Sequence, residues 1–127
     1  MQPVTLDHTG NPPITFRGEI IATTSGQRRS NTDQTRWFCI SLYKTEGGQY
    51  VAKVLYRTMW PEEDDHHDVR VVKDRDEALE FLQEYDVVPH ITLYDKRREE
   101  VLAKMCERYQ CQLSLLLGQA EIFKEVE

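Results

Sequence analysis

Residues 36–60 read RWFCISLYK, TEGGQ, YVAKVLYRTMW, and this stretch decides the fold. Two runs rich in aromatic and β-branched residues flank a short segment with two glycines, the pattern of a β-hairpin. Side chains alternate along a strand. In the first run Phe38, Ile40 and Leu42 share one face, and Trp37, Cys39, Ser41 and Tyr43 share the other. In the second run Tyr50, Ala52, Val54, Tyr56 and Trp60 oppose Val51, Lys53, Leu55, Arg57 and Met59. A sheet with one wet side shows a cleaner contrast between its faces. The mixed second face is therefore expected to be covered in part, by a partner or by a second copy of the chain.

Upstream, residues 14–24 (ITFRGEIIATT) alternate as a half-buried strand. Ile14, Phe16, Gly18, Ile20 and Ala22 are expected on one side of it, with Gly18 marking a bulge or a close backbone approach. Residues 25–35 are polar and read as a long loop carrying Arg28 and Arg29. Residues 1–13 hold three prolines and no apolar period, which predicts a flexible N-terminal arm.

Downstream, Pro61 closes the second hairpin strand because it cannot donate to a ladder. A charged connection leads to a short strand over 69–73. Asp74 is a good N-cap, and Glu77 three residues on completes a capping box. The helix it opens, near 75–86, turns Ala78, Leu79 and Leu82 toward the sheet, with Phe81 and Tyr85 at the edge of that stripe. A second helix is expected over 92–124. Leu102, Cys106, Tyr109, Leu113, Leu116, Ala120 and Phe123 fall at alternating spacings of four and three, a heptad seam. At about 1.5 Å per residue such a helix outreaches a four-stranded sheet, so its C-terminal half is expected to form an interface. Gly118 costs about 1 kcal/mol relative to Ala in an exposed helix interior, or breaks the helix.

The chain has 127 residues, enough for one α+β domain over 14–127 without disulfide or metal staples. Its 22 acidic and 16 basic residues give a net charge of −6, which opposes nucleic-acid binding on average. Its apolar runs are too short to span a membrane, and its start lacks the features of a secretory signal. Three cysteines without metal spacing read as reduced thiols, so a soluble cytoplasmic protein is expected.

Three groups of residues invite a functional reading. Asp64, Asp65, His66, His67 and Asp68, with Glu62 and Glu63 before them, could hold a divalent cation for a metal-dependent enzyme. Adjacent residues in an extended loop point apart, so a solvated acidic turn is the stronger reading. Arg28, Arg29 and Arg36 could meet nucleic acid, with Trp37 and Tyr43 as stacking platforms. The net charge weighs against this. The third group is a protein interface, built from Trp37, Tyr43, Leu55, Arg57 and Met59 on the hairpin and from Tyr109, Leu113, Leu116 and Phe123 on the last helix. No catalytic motif and no cofactor motif is found, so no cofactor is expected. The expectation is an antiparallel meander of about four strands. Two C-terminal helices, the last one long, pack on one face. The functional expectation is a non-enzymatic binding or interaction module that self-associates, as a homodimer or with a protein partner.

Overall fold

The computed structural model describes residues 2–25, 36–59, 64–86 and 98–122. Five antiparallel strands run in sequence order, and two helices follow them. The hairpin of residues 36–60 forms β3 (Arg36–Thr45) and β4 (Tyr50–Thr58). Its register runs without interruption from Arg36↔Thr58 to Lys44↔Tyr50. Gly48, at φ 86°, supplies the left-handed residue that the tight turn requires. Before the hairpin come β1 (Gln2–His8) and β2 (Asn11–Ser25), and after it β5 (His66–Val72). The meander and its two helices are as expected, with five strands in place of four.

The fifth strand comes from the segment expected to be an arm. Residues 2–8 pair with β2 from Gln2↔Gly18 to Leu6↔Ile14, around a turn at Thr9-Gly10 with Gly10 at φ 78°. The prolines that argued against a strand are accommodated. Pro3 lies on an edge strand, where a missing N–H is tolerated. Pro12 and Pro13 face the register shift between Leu6 and His8.

Helix α1 (Arg75–Glu84) starts at Asp74, whose carboxylate accepts from the Glu77 N–H at 2.9 Å. Glu77 accepts in turn from the Lys73 N–H at 3.3 Å, one residue before the N-cap N–H that a capping box uses. Helix α2 (Arg98–Ile122) runs through Gly118 without a break. Helix α1 lies over β4 and β5, and α2 over β2 and β3. Between helices and sheet lies one apolar core containing Phe38, Ile40, Leu42, Ala52, Val54 and Tyr56 from the hairpin, with Ala78, Leu82, Met105, Tyr109, Leu113 and Leu116 from the helices. Two buried polar contacts pin the layers. Tyr109 Oη donates to the Leu82 carbonyl at 2.5 Å, and Gln112 Nε2 donates to the Phe38 carbonyl at 2.7 Å.

The other sheet face carries a second, smaller cluster of Leu6, Val51 and Val69, ringed by Val4, Ile14, Phe16 and Tyr43. The sheet curls to make it. Thr9 N–H donates to the His67 carbonyl at 2.9 Å, and His67 N–H donates to Thr9 Oγ1 at 2.8 Å. The first hairpin is thus drawn toward β5, and it is the cover that the mixed second face requires. Gly18 lies where β2 passes β3. A Cβ there would stand 2.5 Å from the Lys44 carbonyl oxygen, so the close approach expected at this glycine is real. A register shift between Ile20 and Ala22 moves these two residues to opposite faces, against simple alternation. Ala22 joins the main core, while Ile20 pairs with Tyr43 and stays half exposed.

Candidate functional site

The residues singled out in the sequence separate in space. Trp37 is buried, with the Arg57 guanidinium 5.9 Å from its ring. Arg57 in turn pairs with Asp65 at 3.0 Å. Tyr43 meets Phe16 edge to face at 5.5 Å, so the chain itself covers it. Leu55 is half-buried between Cys39 and His67, and Met59 is 68% exposed. Tyr109, Leu113 and Leu116 are buried in the chain's own core, which corrects their placement on an outward-facing seam. The heptad is real, but its apolar stripe packs inward on the sheet, and Cys106 faces solvent instead of the seam. Phe123 lies outside the described residues, as do Arg28 and Arg29. Arg36 is only 7% exposed, which removes it as an open phosphate contact.

Glu62 and Glu63 lie outside the described residues; the rest of the acidic and histidine cluster does not converge, and no group of three metal-capable side chains forms among the described residues. The reason is the onset of β5 at His66, because alternation sends neighbours to opposite faces. His66 and Asp68 lie on the helix side, 3.1 Å apart. Tyr85 Oη donates to the same Asp68 carboxylate at 2.5 Å. Burial, then this hydrogen bond, pushes the Tyr85 hydroxyl well above its ordinary range. Asp65 accepts from the Thr58 N–H at 3.0 Å. His67 lies on the curled face, opposite Leu55.

A polar cluster that the sequence reading passed over lies on that face. Lys53 sits between Ser41 and Val69, and His67 sits diagonally across from it on β5. Such diagonal neighbours are about 7–8 Å apart at Cα, within reach of long side chains. Asp7, on the bulge of β1, and Cys39 both act on Lys53. Burial holds the Lys53 ammonium below its usual range, with Asp7 and Cys39 opposing the shift. His67 is also lowered, first by burial and then by Lys53, with Asp7 and Asp65 opposing. Its Nδ1 is sealed from solvent without a hydrogen-bond partner. A buried lone pair costs less than a buried N–H, so the proton belongs on Nε2. The clue in the sequence was a lysine in phase with Val51 and Leu55 on an apolar strand face.

The outer side of α2 is the other surface of note. Gln110, Cys111, Ser114, Leu115 and Gly118 are all exposed there, Leu115 to 65%. No helix among the described residues is long and apolar enough to cross a membrane. Comparisons with protein-family models, curated proteins and solved structures find no match.

Proposed function

We propose that this protein is a small interaction module without catalysis of its own, and that it works as a pair of identical chains. The outer face of α2 carries the reading. Residues 109–120 contain no charged side chain, in a chain that is 30% charged. The inward residues of that segment fill the core, so a neutral sequence is explained for them. The outward ones are neutral as well, and Leu115 stands among them.

Gly118 adds a second observation. A Cβ there would meet nothing within 4 Å, so the chain's own packing gives no reason for a glycine. A helix crossing at short distance gives one, because glycine lets another backbone approach. A second copy is the occupant that fits. Two chains of net charge −6 repel, and they are least opposed where both surfaces are neutral. A two-fold axis midway between Leu115 and Gly118 along the helix sets Leu115 of one copy beside Gly118 of the other, each using the same patch.

Sedimentation of the whole chain at micromolar concentration tests this. Wild type is expected to sediment as a dimer, and Leu115→Lys as a monomer with a wild-type circular dichroism spectrum. A wild type that stays monomeric, or a Leu115→Lys variant that remains dimeric, overturns the reading.

A further inference from the structure

We propose that the curled sheet face carries a binding site for a small oxyanion, held between the Lys53 ammonium and the His67 Nε2–H. This goes beyond self-association and rests on different residues, on the opposite side of the sheet from α2.

Lys53 is half-buried, in the middle of the central hairpin, and it makes no hydrogen bond or salt bridge with a described residue. Asp7 acts on this half-buried ammonium from beyond salt-bridge distance, so its desolvation is only partly offset. Strand alternation does not excuse it, since Val51 and Val69 beside it are buried and apolar.

His67 supplies the second donor. Its backbone N–H and carbonyl are both bonded to Thr9, which fixes the strand position from which the ring projects. With Nδ1 sealed and carrying the lone pair, Nε2–H is the donor that remains. Lys53 and His67 are thus diagonal neighbours on one sheet face, each with a donor that makes no hydrogen bond to a described residue. The neighbouring hydroxyls are engaged with each other, Thr23 Oγ1 with Ser41 Oγ at 3.1 Å. The Cys39 thiol is turned to Ser25 Oγ at 3.5 Å.

The charges around this space are Asp7 from β1, Arg57 from β4 and Asp65 from the segment before β5. Arg57 and Asp65 neutralise each other. Asp7 is exposed and, among the described residues, is the unpaired charge that competes with an incoming anion. Carboxylate and phosphate oxygens satisfy both donors equally well, and a charge-assisted bond to each is stronger than a neutral one.

The test is an NMR titration of the full chain with sodium acetate and, separately, inorganic phosphate, at ionic strength held constant with chloride. The Lys53 and His67 side-chain signals are expected to shift saturably with at least one of the two, and which one responds identifies the class. His66, on the opposite face, is the internal control and stays still. Lys53→Met is expected to weaken binding about tenfold or more, the loss of one charge-assisted contact. Asp7→Asn, on an exposed rim, is expected to tighten it. Shifts that rise linearly with both anions overturn the proposal. So do equal shifts at His66, or binding that Asp7→Asn leaves unchanged or weakens.

Discussion

Gly18 and Gly118 show that the same residue type does opposite work in one chain. At Gly18 a Cβ would collide with the Lys44 carbonyl, part of a backbone that cannot move aside cheaply. Gly18→Ala is expected to lower stability by about 2 kcal/mol or more, measured by denaturant unfolding. At Gly118 a Cβ meets open space, so Gly118→Ala is expected to raise the stability of the isolated chain by about 0.5–1 kcal/mol. Equal effects at the two sites would contradict this geometry. The role of Gly18 was legible, because a glycine inside an alternating strand needs a reason. The role of Gly118 was not, because the cost of a helical glycine does not say what faces it. Tyr85 makes a pH-dependent contribution. Its hydroxyl is held neutral in the fold, whereas an unfolded tyrosine ionises near pH 10. The stability it adds is complete below that pH and falls as pH rises above it. Between about pH 9 and pH 11 the melting temperature of Tyr85→Phe is expected to drop less than that of wild type. An equal drop would show that Tyr85 ionises as freely in the fold as out of it.

Among the elements, β1 changed most between sequence and structure. The run Val4 and Leu6, the turn Thr9-Gly10, and then Ile14 and Phe16 is a hairpin pattern. Three prolines obscured it, since proline normally counts against a strand. Propensity yielded because one proline lies on an edge strand and two face a register shift. The element is not ornamental. Leu6 is buried against Val51 and Val69, which no helix covers. Leu6→Asp is expected to cost about 3 kcal/mol or more and to expose an apolar surface that binds hydrophobic dye. A variant with wild-type stability and no dye binding would mean that the first hairpin covers nothing. In α2 the heptad periodicity was correct, yet it could not say which partner the stripe meets. A sheet and a second helix both bury a strip of similar width, so spacing alone does not distinguish them. In α1 the cap at Asp74 was readable because it depends on side chains three residues apart.

For the whole molecule, charge governs how copies meet. Each chain carries −6, and the proposed contact between α2 helices contains no charge to repay the repulsion. Added salt screens that repulsion and leaves apolar contact intact, so the dimer that sedimentation reports is expected to tighten as ionic strength rises. A dimer that salt dissociates would instead be held by ion pairs, and α2 would not be its seam. The proposed anion site behaves in the opposite sense, because salt competes directly for Lys53. The two proposals therefore separate under one variable.

The sequence by itself determined the central hairpin, its register of inward residues, the capped helix after it and the period of the last helix. These rest on contacts within a few residues, where alternation and helical spacing act directly. Only the tertiary structure decided what lies against each face. The curl that brings Thr9 to His67 joins residues 58 positions apart, and no local pattern encodes it. That curl covers part of the second face with the chain's own first hairpin. It places Asp7 near Lys53 and His67. The candidate site exists because strands distant along the chain were folded together, whereas the hairpin beneath it exists because neighbouring residues alternate.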